Sequence, residues 1–390
     1  MNTPIKDAPR TIKVGRWTTA IGLIGIGVIV LLQLNHVLSF EVLKYIWPVL
    51  LILLGVEVVV ANIIHSDKRV RLGGFSVTIL ILLLLVSTAQ VMIPNLGTLF
   101  NKGYAGAIHG STEIGSNVKR VEIVVDHGKV DVTGTDNAKV AYDGKFRFQD
   151  ANTQKDADRM IEERWKVNTE GDTLVLSLND DNNWFSFFNI EFDKDEEYLN
   201  VQIPKPLEVE VHTKNDSIKG RETGAGFTAV TTNGSINLTQ IEGIVSATTS
   251  NSSITLEQIK DNVSATTTNG TVRVTDVGGS AQLKTSNSAI TVNNIAGGLT
   301  AKTTNGSIKG TSAIGGDWNC SSSNGSISLG IPKNTNAEIK AKTTNSSIKG
   351  NISWVQDDDD KRSATIGDGT HKVELDTTNG SIKVNYGDNE

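Results

Sequence analysis

The sequence predicts a membrane-anchored all-β protein: an N-terminal three-helix transmembrane region followed by a single-stranded β-solenoid (β-helix) with rungs of about 18 residues. Three observations predict it. A motif with the core Thr-Thr-Asn-Gly-Ser-Ile recurs through the second half of the chain, three long apolar runs fill the first hundred residues, and charge divides between the two regions. Residues 1–101 hold 8 Lys+Arg against 4 Asp+Glu, which leaves 29 against 39 for the rest, a net charge of −10.

From the N-terminus, residues 1–16 form a short basic segment, and residues 17–94 the membrane region, with helices expected at about 17–34, 45–64 and 75–93. Each run approaches the ~20 residues that cross a bilayer. Two further runs follow the first, which argues against a cleaved signal peptide. Lys6, Arg10, Lys13 and Arg16 precede the first run, and Lys68, Arg69 and Arg71 follow the second, so both basic segments are expected in the cytoplasm. That places the N-terminus inside and everything after Pro94 outside. Glu57 is the one acidic residue deep in a run. It is a candidate intramembrane functional group for a proton relay or for sensing. The alternative is a carboxylate that is solvated, or paired with the basic cluster at 68–71.

Residues 95–117 are Gly-rich and expected to be a linker. Residues 118–212 alternate apolar and polar side chains at Val121, Ile123 and Val125 and at Val130 and Val132, around an Asp126-His127-Gly128 turn. They are expected to be an irregular first part of the solenoid, with a short helix near Asp156 to Trp165. A second interruption, at about 180–197, sets Trp184, Phe185, Phe187 and Phe188 among acidic residues. It is either a partner-contact loop or a cap on the solenoid end.

Residues 213–390 carry the regular repeat. Its asparagine falls at Asn215, Asn233, Asn251, Asn269, Asn287 and Asn305, always 18 apart, then at Asn324, Asn345 and Asn379, at spacings of 19, 21 and 34. A fixed period of this length marks stacked units. Apolar columns such as Phe227, Val245, Val263, Ala281 and Leu299 alternate with polar positions, so each rung reads as two short strands with one buried face. The strands join at an Asn-Gly or Asn-Ser turn, where positive φ is expected. Eighteen residues leave no room for a crossover helix, so the copies should stack in parallel. The asparagines are then expected to form an inward amide ladder, with a hydroxyl ladder of Thr231, Thr249, Thr267, Thr285 and Thr303 beside it. Many copies also fit Asn-x-Ser/Thr, but recurrence at a turn explains them without a sugar. Cys320 and Trp318 fall in inward columns.

Chemistry has little to rest on. The outward columns are mostly Ser, Thr, Asn and Lys, with no carboxylate pair on adjacent rungs, and the six histidines are scattered. Lys284 and Lys302 interrupt the threonine array that an ice-binding face needs. Asp357, Asp358, Asp359 and Asp360 are weak metal candidates, since four adjacent aspartates could bind Ca²⁺ but lack the spacing that wraps an ion. No catalytic residue, cofactor site or resident metal is expected.

Two stretches resemble known bacterial families. Gly22-Leu-Ile-Gly-Ile-Gly-Val-Ile-Val-Leu-Leu through Ile46-Trp-Pro-Val-Leu-Leu-Ile-Leu-Leu-Gly55 resembles the LiaI/LiaF-like transmembrane region. From about Val118 onward the Thr-Thr-Asn-Gly-Ser-Ile repeats resemble a candidate-adhesin domain of β-strand repeats. The resemblance implies a Gram-positive envelope protein linked to envelope stress. The expected function is a non-enzymatic, adhesin-like binding or scaffolding protein of the cell envelope. Its expected partners are cell-wall polymer, an envelope protein or another copy of itself, and nucleic acid is not among them. The alternative is an accessory or regulator of envelope-stress signalling that acts through the helices.

Overall fold

The structure, a computed structural model, describes residues 11–15, 17–22, 24–25, 28, 46–64, 69–72, 103–178, 197–333 and 335–387. The expected helix at 75–93, most of the one at 17–34, and the loop with Trp184, Phe185, Phe187 and Phe188 lie outside these residues. Two compact units divide after Gly103.

In the first unit, residues 17–22 are helical and a helix of 19 residues, α1, spans Ile46–Ile64. Side chains of α1 are described from Val49 onward, and over the described residues no helix is long and apolar enough to cross a membrane. Gly22 lies against Leu50, where a Cβ would come within 2.9 Å of Leu50 Cδ2. Thr11–Val14 pairs in parallel with Arg69–Leu72, which joins the segment ahead of the first helix to the one that follows α1.

In the second unit, the repeat makes the chain alternate between two sheets of 14 and 13 described strands. Each 18-residue copy gives one strand to each sheet, as Phe227–Val230 and Ile236–Ile241 do. Equivalent residues of successive copies pair in parallel and in register, as in Val245↔Val263 and Ile254↔Val272. Period-2 alternation turns one side of every strand inward, so Val245, Ala247, Ile254 and Leu256 are all at most 1% exposed. Identical columns therefore fill the space between the sheets.

The expectation of a single winding in chain order needs correction at both ends. Strand Arg120–Val124 lies between Thr173–Leu178 and Glu208–His212, so the first copy is the second layer of the stack. At the far end, strand His371–Thr377 lies between Trp318–Ser322 and Ala337–Thr343. Its companion Ile382–Tyr386 likewise lies between Ile327–Ile331 and Ile348–Gly350. The last copy is thus inserted beneath the one before it. Antiparallel strands then cover three sheet ends: Lys139–Phe148 with Tyr104–Glu113, Trp165–Glu170, and Lys361–Ile366. Covering an edge removes a template for unwanted pairing.

Two further expectations change. The linker at 95–117 is in part a 10-residue strand, Tyr104–Glu113. Its glycines are packing positions: a Cβ on Gly106 would meet Ala157 O at 2.6 Å, and one on Gly110 would meet the Tyr142 hydroxyl at 2.6 Å. The helix expected near Asp156 is α2, Gln154–Arg164, capped by the Thr153 side chain accepting from Asp156 N. Its buried residues Ala157 and Ile161 close over Gly106.

Candidate functional site

Glu57 is held by the start of the first helix. Its carboxylate accepts from Gly15 N at 2.7 Å, Thr18 N at 2.9 Å, Thr18 Oγ1 at 2.6 Å and Trp17 N at 3.4 Å. The first-turn amides of a helix have no intrahelical acceptor, and a negative charge there also meets the positive end of the helix dipole. Sequence reasoning could see the carboxylate but not this partner, because the residues that meet are about 40 positions apart.

The asparagines form a ladder in which each side-chain amide donates to the Oδ1 of the layer beside it, at 2.7–2.8 Å from Asn233 to Asn345. The ladder faces solvent, which corrects the inward placement: the turn carries it outside the two buried faces. Its order is Asn305, Asn324, Asn379, Asn345 at the far end, and at the near end Asn215 Nδ2 lies 3.2 Å from His127 Nδ1.

The threonines are the inward partners. Thr231, Thr249, Thr267, Thr285 and Thr303 are buried, yet they bond to backbone rather than to one another. Thr267 Oγ1 donates to Ser252 O of the neighbouring layer at 3.1 Å and accepts from Gly270 N at 3.2 Å. Thr231 and Thr303 likewise accept from Gly234 N and Gly306 N, while Thr249 and Thr285 donate to Gly234 O and Gly270 O.

Positive φ lies at the opposite corner, at Glu222, Gln240, Gln258, Asp276 and Asn294, with values from 52° to 58°. These residues follow the second strand's alternating stretch and rephase it so that the next apolar residue, such as Ile241 or Ile259, points inward. The turn glycines are needed for space: a Cβ on Gly270 would lie 1.7 Å from Ser252 O, and one on Gly306 1.6 Å from Ser288 O.

The outer faces carry the remaining candidates. On the larger sheet the middle layers present hydroxyls, Ser246 with Thr248 and Ser264 with Thr266. Asp357–Asp360 sit on an exposed hairpin, where Asp357 Oδ1 accepts from Ser363 Oγ at 2.9 Å. Among the described residues no group of His, Cys, Asp or Glu could hold a metal ion. Cys320 is buried, and burial pushes its thiol up to about 12. Glu197 lies near the His127 turn and accepts from Arg147 N at 2.8 Å, and burial raises its carboxyl above the usual range.

Residues 118–385 match the Toastrack DUF4097 family, and residues 17–59 match the LiaI-LiaF-like transmembrane region. Among solved structures, a candidate cell adhesion protein of Clostridium sporogenes ATCC 15579 is 12% identical, covering 72% of this chain and 99% of that one at a TM-score of 0.23. A candidate adhesin of Bacteroides fragilis NCTC 9343 is 13% identical, covering 72% of this chain and 96% of that one at a TM-score of 0.26. These likenesses are too distant to carry a functional argument. No curated protein matches the chain.

Proposed function

The chain belongs to the Toastrack DUF4097 family, and from that membership we propose that it is a membrane-anchored, extracytoplasmic binding or scaffolding protein of the cell envelope, without a catalytic role. One observation carries this reading: the stack repeats the same exposed side-chain amide at the ~4.8 Å strand spacing from Asn215 to Asn345, beside hydroxyl pairs on its middle layers. Such a surface suits a partner that is itself repetitive, such as cell-wall polymer, an envelope protein or a second copy of the chain.

The match of residues 17–59 to a transmembrane region supports the anchor. The parallel pairing of Thr11–Val14 with Arg69–Leu72 supports the topology, because it keeps the two basic segments together on one side of a helical hairpin. On this reading the apolar run at 75–93, which lies outside the described residues, would carry the repeat domain to the other side. Retention of the detergent-purified chain on isolated envelope fragments tests the reading. Saturable retention is expected, and no retention over a broad range of salt removes wall binding.

A second reading is an accessory of envelope-stress signalling that acts through the helices. The observation favouring it is the Glu57 clamp, which couples the start of the first helix to the middle of α1. Glu57→Gln separates the two readings. A binding module keeps its retention and leaves stress output unaltered, whereas a signalling accessory changes the output of an envelope-stress reporter.

A further inference from the structure

The smaller sheet carries a run of cations at its far end, where the last copy is inserted between two earlier ones. The register aligns Lys309 with Ser328, Ser328 with Lys383, and Lys383 with Lys349, so four successive layers present Lys, Ser, Lys and Lys in one outward column. All three lysines are exposed, and among the described residues none makes an ion pair or a hydrogen bond. The neighbouring outward column offers Thr311, Gly330 and Asn385, so no carboxylate of the sheet offsets them.

The arrangement works against folding. Like charges directly opposite on adjacent strands destabilise a sheet, and Lys383 and Lys349 face each other about 4.8 Å apart. Lys349 is on an edge strand, where a lysine discourages unwanted pairing. Lys309 and Lys383 are on inner strands, and edge protection does not account for them. The contrast with the other sheet is direct: there Lys340 pairs with Glu338 at 3.1 Å, and the adjacent strand bears Glu374 and Asp376. The region after residue 101 has a net charge of −10, so this column is a local reversal of sign.

We propose that the Lys309–Ser328–Lys383–Lys349 column binds a linear polyanion laid along the stacking axis. Its charges would engage successive lysines, while the Ser328 hydroxyl donates to an anionic oxygen between Lys309 and Lys383. This assignment rests on the binding reading above and names the chemistry of its ligand. Phosphate and carboxylate chains share that chemistry, and the experiment separates them.

The full chain, purified in detergent, is titrated with long-chain inorganic polyphosphate and, in a second arm, with poly-glutamate, at 50 and 200 mM salt. The variants are the triple Lys309→Ser/Lys349→Ser/Lys383→Ser and a control triple on the other sheet, Lys302→Ser/Lys340→Ser/Lys342→Ser, with melting curves to show that both fold. Wild type is expected to bind at least one probe, and whichever binds more tightly identifies the class of charge. The first triple is expected to weaken binding about tenfold or more, and the slope of log affinity against log salt is expected to fall by about one per lysine removed. The control is expected to retain both values. Failure of wild type to bind either probe, or an equal loss in both triples, overturns the proposal. Retention on envelope fragments is measured in parallel: wild type and the first triple retained equally overturns the polyanion column while leaving the binding reading intact.

Discussion

Asn345 donates its side-chain amide to Oδ1 of Asn379 at 2.7 Å, although Asn379 comes 34 residues later in the chain and lies on the inner side of Asn345 in the stack. Asn379 in turn donates to Asn324 at 2.7 Å. The end of the chain is therefore a middle layer that is bonded on both sides.

Leu375 should consequently behave as a core residue despite its place near the C-terminus. It is 1% exposed between Cys320 and Ala341. Leu375→Ala is expected to cost about 2–5 kcal/mol, the range for emptying a closed site. Urea denaturation measures it. A cost below about 1 kcal/mol would mean that the terminal layer is peripheral.

Thr267 and Asn269 should differ in the opposite sense to their visibility in the sequence. Thr267→Val leaves the buried Gly270 amide and the half-buried Ser252 carbonyl short of a partner, at about 1–3 kcal/mol each. Asn269→Ala removes two exposed amide bonds, at about 0.5–1.5 kcal/mol each. The comparison is made in one denaturation series, and a larger loss for the asparagine would contradict the solvent-facing ladder.

Gly270 should not tolerate a methyl group. Its Cβ would lie 1.7 Å from Ser252 O, a backbone atom fixed by the layer beneath. Gly270→Ala is expected to cost about 3 kcal/mol or more, as overpacking does where the neighbour cannot yield. Ser252→Ala, in the equivalent turn one layer away, loses a single side-chain bond to Asn233 O and is expected to cost about 1 kcal/mol. Equal melting shifts would overturn the steric account.

Glu197 gives the domain a pH dependence. Burial raises its folded pKa above the ordinary 4.5, opposed by the Arg147 amide bond. A carboxyl raised in the folded state contributes stability that is present below the unfolded pKa and is lost as pH rises through the folded one. Wild type should therefore lose stability relative to Glu197→Gln as pH rises from 4.5. Denaturation midpoints that run parallel across that range would remove Glu197 as the cause.

The stacking was legible in the sequence because a period of 18 with alternating columns leaves few ways to bury one face of each strand. Val245, Val263 and Ala281 pair as those columns require. The order of the end layers was not legible: the 34-residue gap before Asn379 records an excursion but not the side on which the chain returns. The turn was half legible, since Asn-Gly marks a corner, while whether its glycine serves φ or space depends on the layer beneath. Glu57 was visible as an odd charge, but its amide donors, Gly15 and Thr18, lie at and just before the start of another helix. The cation column was implicit in the repeat, since Lys309, Ser328, Lys349 and Lys383 each stand four residues after a ladder asparagine, and the inserted layer sets only the order of Lys383 and Lys349.

A binding surface turned toward the envelope requires the repeat domain to lie outside the cell, and the chain provides its own quiet background for measuring this. Cys320 is its single cysteine and is buried, with a thiol pushed up to about 12, so the folded protein should not react with maleimide. Thr268 is an exposed turn residue and Thr11 lies on the strand ahead of the first helix. In intact cells a membrane-impermeant maleimide should label Thr268→Cys and leave Thr11→Cys unlabelled until the membrane is opened. Labelling of Thr11→Cys but not Thr268→Cys in intact cells would contradict an outward-facing stack and with it the envelope-binding function.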